Sequence, residues 1–211
     1  TDDLILTKIK RNCYLEDTKR ATHLLKQNGY KVDWHLMPDL PGSSYEKDKS
    51  MIDDLFKIES QEEIGSNYIR YKLKNPDLQS DQLKIYPCTT VDWTEIKEWY
   101  DSGEYKPYSE DEEKLIELII HIKKLVFPWI RLNRVIRDIP NQYISGGNNI
   151  TNLRQNLQKI LKDRGEKCRC IRCREVRNKK VDPSDIKLLV REYDSSDGKE
   201  YFISFETMYI K

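Results

Sequence analysis

The chain is 211 residues long, 35% charged and 37% hydrophobic, with 13 tyrosines and four tryptophans. That composition is polar for a folded protein, but it supplies enough large side chains for one core, or one and a half, and excludes a disordered chain. The longest apolar run, Leu115 to Phe127, is interrupted by Glu117, His121, Lys123 and Lys124. It falls short of the roughly 20 apolar residues that a transmembrane helix needs, so no membrane role is expected.

Net charge is only +1, yet residues 131–180 carry 14 Lys or Arg against four Asp or Glu, leaving about −9 on the rest. A basic block of that density is the footprint of a polyanion-binding surface. The five cysteines, three of them crowded together, fit a reducing compartment with a metal site better than a disulfide framework, and the expected location is cytoplasmic.

Asp2 to Gly29 reads as helical, with Gly29 as its stop. Val32, Trp34 and Leu36 then alternate with polar residues, which predicts a strand ending in the turn-rich Met37-Pro38-Asp39-Leu40-Pro41-Gly42. Ser43 or Ser44 is placed to cap a helix through Met51, Ile52, Leu55, Phe56 and Ile58. Strand, loop and helix make half of a βα unit, and in α/β barrels such loops carry the chemistry. Ile64 to Gln79 has no clean period and reads as an excursion or partly ordered loop.

Gln82-Leu83-Lys84-Ile85-Tyr86 predicts a second strand, stopped by Pro87, with Lys84 either reaching a bound anion or facing solvent. A short helix over 92–100 precedes a loop, and Ser109 is the expected cap of a helix that ends before Pro128. Its stripe is Leu115, Leu118, Ile119 and Ile122. Arg131, Arg134 and Arg137 follow at intervals of three, on a helix or a strand; either way they make an anion-facing surface or a salt-bridge ladder. Ser145 to Asn149 reads as a flexible turn and Thr151 to Lys162 as a helix.

Next comes Lys167-Cys168-Arg169-Cys170-Ile171-Arg172-Cys173-Arg174-Glu175. Three thiols at C-x-C-x-x-C spacing point to a metal, and the interleaved arginines point to a polyanion. Zinc would need a fourth ligand; an iron–sulfur cluster on the same three cysteines and a metal-free loop are the alternatives. Ile186 to Tyr193 reads as helix or strand, Ser195 to Gly198 as a hairpin turn, and Lys199 to Ile210 as a strand with nothing obvious to pair with.

Five ordered segments carry a family resemblance. They are Asp33-Trp34-His35-Leu36-Met37-Pro38-Asp39-Leu40-Pro41-Gly42, the run from Asn75-Pro76 to Leu83-Lys84-Ile85-Tyr86-Pro87, the run from Trp99 to Tyr108, Arg131 to Pro140, and Cys168 to Val176. Together they resemble the radical-SAM catalytic subunit of the Elongator complex and its archaeal and bacterial relatives.

The resemblance implies an α/β fold. Residues 1–127 would be the C-terminal part of a radical-SAM partial TIM barrel. Residues 128–192 would be a basic, mixed α+β, zinc-containing linking region, and 193–211 the first hairpin of an acetyltransferase domain. It implies a parent enzyme, an acyltransferase, that builds a carboxymethyl-type group on the tRNA wobble uridine using S-adenosylmethionine, an iron–sulfur cluster and acetyl-CoA.

His35, Met37, Lys84 and Tyr86 would then face the S-adenosylmethionine and acetyl-CoA chemistry. Arg131, Arg134, Arg137, Lys167, Arg169, Arg172 and Arg174 would meet tRNA, and Cys168, Cys170 and Cys173 would hold metal. Partners would be tRNA and other Elongator subunits. No C-x-n-C-x-x-C cluster motif precedes Asp33, so the chain reads as an internal fragment with no catalytic residue of its own. The competing reading is a non-catalytic, zinc-stabilised RNA-binding module.

Overall fold

A three-stranded parallel sheet organises the first two-thirds of the chain. It is seen in a computed structural model that describes residues 2–136, 139–150 and 152–207. The helical start is two helices, α1 (Asp3–Lys8) and α2 (Leu15–Gln27). Strand β1 (Asp33–Leu36) follows, then α3 (Tyr45–Leu55), whose first turn is capped by the Ser44 hydroxyl accepting from Lys47 N.

Next come β2 (Ile58–Glu63) and β3 (Tyr68–Leu73), then β4 (Gln82–Ile85), β5 (Thr89–Val91) and α4 (Glu95–Asp101). Helix α5 (Glu112–Leu125) leads to β6 (Arg131–Arg134). The cap of α5 is Asp111, which accepts from Lys114 N; the expected cap, Ser109, lies in the single 3₁₀ turn before it. The chain closes with β7 (Ile144–Gly147), α6 (Leu153–Asp163), the single-turn α7 (Ile171–Arg174), β8 (Ile186–Ser195) and β9 (Gly198–Thr207).

The parallel sheet has the order β1-β4-β6, with Trp34 beside Leu83 and Leu83 beside Leu132. Parallel neighbours require crossovers, and α3 and α5 lie in them. Leu83, Ile85 and Leu132 are buried with Ile52, Leu55 and Phe56 of the first crossover and Leu118 and Ile122 of the second. Alternation therefore sends Asp33, His35, Gln82, Lys84 and Asn133 to the opposite face.

The second sheet corrects two expectations. Its order is β2-β3-β8-β9, with β2–β3 and β8–β9 antiparallel and β3–β8 parallel. The segment 64–79, expected to be a loop, thus contributes a central strand, because Ile69, Tyr71 and Leu73 alternate with Arg70 and Lys72. The terminal hairpin does have a partner: Tyr68 pairs with Val190 and Tyr71 with Tyr193. The expected division at 192/193 falls inside β8. Ser196 and Asp197 turn the hairpin with positive φ at both positions, the two-residue geometry that matches strand twist.

Aromatic stacking joins the sheets. The Trp129 ring stacks on Tyr193 at 4.1 Å and on Phe127 at 4.8 Å, and Tyr71 meets it edge-on at 5.0 Å. A smaller core under α6 joins Leu153, Leu157 and Leu161 to Leu115 and Ile119.

The turn expected at 145–149 includes strand pairing: Gly146 and Gly147 sit opposite Thr90 and Thr89. Glycine is required at 147, where φ is +91° and a Cβ would lie 2.9 Å from the Cys88 carbonyl oxygen.

Candidate functional site

Two polar clusters flank β6. The first lies on the solvent-side face of the parallel sheet. Lys84 Nζ is 2.9 Å from Asp33 Oδ2 and donates to His35 Nε2 at 3.1 Å. The ring of Tyr86 meets His35 edge-on at 5.4 Å. Asn133 hydrogen-bonds Gln82, which extends the polar row across all three strands. His35, Lys84 and Tyr86 are therefore brought together, with the charge of Lys84 already matched by Asp33.

Met37 lies beyond the end of β1 and is 45% exposed. With His35 it lines a cleft of about 830 Å³, walled on one side by Ile5 and Ile9 and on another by Cys88 and Thr89.

The loop below Met37 is held by two buried carboxylates. Asp39 sits at φ +67°. Its carboxylate accepts from Tyr108 N at 3.0 Å and Ser109 N at 2.8 Å, while its own N–H donates to Asp48 Oδ2 at 2.6 Å. Asp48 also accepts from Tyr108 Oη and Ser43 Oγ, each at 2.6 Å, and Tyr105 Oη donates to the Asp39 carbonyl at 2.6 Å. These contacts lock the 37–44 loop to the 105–109 segment. Burial pushes the Asp39 carboxyl up to about 6, against the opposing pull of its Ser109 and Tyr108 hydrogen bonds.

The second cluster is the cysteine loop. Backbone bonds clip it to the core at Arg169 N to Lys123 O and at Ile171 N to Ile130 O, both 3.0 Å. Cys168, Cys170 and Cys173 converge, with their sulfurs all within 4.8 Å of one another. Cys170 is fully buried. Hydrogen bonds from Cys168 and Cys170 push the Cys173 thiol far down, helped by the positive charges of Lys123 and Arg154. Bonds to Cys170 and Cys173, with burial, push Cys168 up. Three soft donors converging around one thiolate fit a thiophilic ion such as zinc.

The arginines of the basic block divide into two sets. Arg131 is paired with Glu175. Arg174 is consumed by Glu206, the Arg169 carbonyl and the Pro128 carbonyl. Arg172 donates to the Asn133 carbonyl. Burial, then the charges of Arg154, Arg131 and Arg177, hold the Arg172 guanidinium below its usual range, the mark of a cationic cluster short of counter-charge. Lys167 and Arg134 are exposed, and Arg169 has no carboxylate partner among the described residues. Arg137 lies outside the described residues.

Sequence reasoning missed Lys123 and Arg154. Lys123 is 0% exposed and donates to Cys173 Sγ at 3.8 Å. It falls four residues after Ile119 and eight after Leu115, on the apolar stripe of α5, and that position was the available signal. Both terminal nitrogens of Arg154 are buried without a hydrogen-bond partner among the described residues.

The model of the radical-SAM C-terminal domain matches residues 80–163. A tRNA uridine(34) acetyltransferase of Methanocaldococcus infernus is 42% identical over 96% of this chain, which covers 35% of that protein. The human Elongator complex protein 3 is 37% identical over 87% of the chain, covering 31% of its length. A solved structure of the archaeal Methanocaldococcus infernus Elp3 with its N-terminal residues 1–46 deleted superposes with a TM-score of 0.84 at 40% identity. That match covers 98% of this chain and 45% of the solved one. The chain thus spans about a third of the length of the relatives it matches. Along almost its whole length the chain is similar, in sequence and in fold, to part of the tRNA uridine(34) acetyltransferase and Elongator complex protein 3 relatives.

Proposed function

We propose that this chain forms part of a tRNA wobble-uridine modifying acyltransferase, supplying strands that face the reaction and a surface that holds tRNA. The observation that carries the reading is the match over 96% of the chain to a protein named for that activity. In this reading β1, β4 and β6 are the closing strands of a radical-SAM partial barrel, 128–192 links it onward, and 193–211, from the end of β8 through β9, opens the acetyltransferase portion. The enzyme would work in the cytoplasm, with tRNA and other Elongator-type subunits as partners. S-adenosylmethionine, its iron–sulfur cluster and acetyl-CoA would supply the carbon chemistry. No C-x-n-C-x-x-C cluster-ligand motif precedes Asp33 in this sequence.

What this chain's own residues do is bind and orient. His35, Met37 and Tyr86 border the face and cleft where the reacting groups would lie, and Lys84 orients His35 while Asp33 balances its charge. Arg134, Lys167, Arg169 and Arg172 are the cations left to meet tRNA phosphates, while Arg177 shares Glu175 with Arg131 and the terminal nitrogens of Arg154 are buried. Arg131 and Arg174 serve the fold instead. Phosphate contacts set affinity and salt dependence rather than base choice. Cys168, Cys170 and Cys173 hold a structural zinc that keeps this basic surface in shape.

Two measurements test the reading. Grafting this segment in place of its counterpart in the M. infernus relative should retain uridine-34 modification; a folded but inactive chimera would count against it. Binding of tRNA by the chain should weaken steeply between about 50 and 200 mM salt. Arg172→Ala should flatten the salt dependence by about one phosphate contact, and Arg174→Ala should not.

A further inference from the structure

We propose that Lys123 is a positioning residue of the Cys168–Cys170–Cys173 metal centre, its ammonium donating to the Cys173 sulfur and balancing the charge of the three-thiolate complex. The proposal rests on the reading that these cysteines hold a divalent ion.

Lys123 is among the largest fully buried side chains of the described residues, at 0% exposure. A lysine ammonium without water loses several kcal/mol of hydration and keeps its charge only beside an anion. Among the described residues no carboxylate pairs with it, and its hydrogen-bond partner is Cys173 Sγ at 3.8 Å. A neutral thiol is a weak acceptor, whereas a metal-bound thiolate is a charged one.

A divalent ion with three thiolates carries −1, which the Lys123 ammonium offsets at the Cys173 sulfur, and the buried Arg154 guanidinium adds a second positive charge nearby. Metal sites depend on such outer partners for ligand orientation and affinity. The helix presents this charge without needing it for position, because the loop is clipped to the core by backbone bonds at Arg169 and Ile171. Replacing Lys123 with methionine keeps the stem volume and should leave the loop in place.

The test uses the full chain, stripped of metal and titrated with Co²⁺ as a spectroscopic stand-in for Zn²⁺, followed by displacement with Zn²⁺. Wild type should take one equivalent with a thiolate-to-cobalt charge-transfer band. Lys123→Met should bind about 10–100-fold more weakly. Its band should move to lower energy, because a thiolate that has lost a hydrogen-bond donor gives up electron density more easily. Without metal, the same variant should resist denaturant at least as well as wild type, since it no longer buries an under-compensated charge. A lysine with a packing role alone would move neither the band nor the relative order of the metal-free proteins.

Unchanged affinity with an unchanged band in Lys123→Met would overturn the proposal while leaving the metal centre intact. Failure of wild type to take up Co²⁺ or Zn²⁺, or Cys170→Ser binding as tightly as wild type, would remove the metal reading itself and the proposal with it.

Discussion

The polar face of the parallel sheet and the cysteine loop both set charged side chains beside β6, and they treat that charge in opposite ways. On the sheet face Lys84 meets Asp33 at 2.9 Å, both about 30% exposed, so the pair is neutral and still touches water. In the loop Lys123 is fully buried against sulfur, and Arg154 holds two buried nitrogens with no partner among the described residues. A neutral pair needs nothing from outside and serves to orient its neighbours, here His35. A buried cationic excess is tolerable only when thiolates and an ion share the space. The sheet face therefore reads as a pre-arranged surface, and the loop as a site completed by what binds there.

Breaking the loop should have the largest effect. Cys170 is at 0% exposure, so Cys170→Ser both removes a metal donor and buries a hydroxyl among sulfurs and aliphatic side chains. The expected loss is about 4 kcal/mol or more, from forfeited metal binding together with an ill-satisfied polar group. Denaturant unfolding with and without a chelator checks it. Chelator should bring wild type down toward the variant and leave the variant unmoved. A wild type indifferent to chelator would end the contrast with the sheet face.

Breaking the join between the sheets comes next. Trp129 touches Phe127, Tyr71 and Tyr193, and it is 3% exposed. Trp129→Ala should cost about 3–5 kcal/mol. The denaturant midpoint reads it, and the two sheets should still unfold in one transition if this stack is one contact among many between them.

Much of this arrangement was legible in the residues. The strands β1 and β4 announce themselves because Trp34, Leu36, Leu83 and Ile85 point one way and Asp33, His35, Gln82 and Lys84 the other. The cysteine spacing shows on its own. What sequence could not carry was long-range pairing: β3 finds β8 some 120 residues later, and alternation within β3 alone does not name a partner. The terminal hairpin looked unpaired for the same reason. Arg131 and Arg174 looked like free cations because their acids, Glu175 and Glu206, are brought to them by the fold. Lys123 was hidden by its neighbours, since an apolar helix stripe with one lysine resembles a stripe that ends.

Acid should sharpen the comparison through the loop that overhangs the sheet face. The Asp39 carboxyl is pushed up to about 6 in the folded protein, above its ordinary value of 3.8. Between those values the unfolded chain has released the proton and the folded one keeps it. Stability from this group is therefore greatest in acid and declines as pH rises through the window from about 4 to 6, by about 3 kcal/mol. Replacing Asp39 with Asn should remove that slope while losing one of its two backbone contacts. A flat stability difference between the two proteins across that window would contradict the buried-carboxylate account.

The smallest expected effect is the most telling against the first. Lys84→Met removes an ammonium just as Lys123→Met does, but from a pair that water still reaches, where an ion pair is worth about 1 kcal/mol or less. The denaturant midpoint should hardly move, and metal uptake by the cysteine loop should be unchanged. His35 would lose the 3.1 Å donor at Nε2, and Asp33 would be left facing solvent without its counter-charge. The His35 imidazole resonances, followed by NMR, should therefore move from their wild-type positions in Lys84→Met, as the ring loses the contact that fixes its orientation. If they stay where they are, Lys84 does not govern His35, and the sheet face is simply a solvated surface.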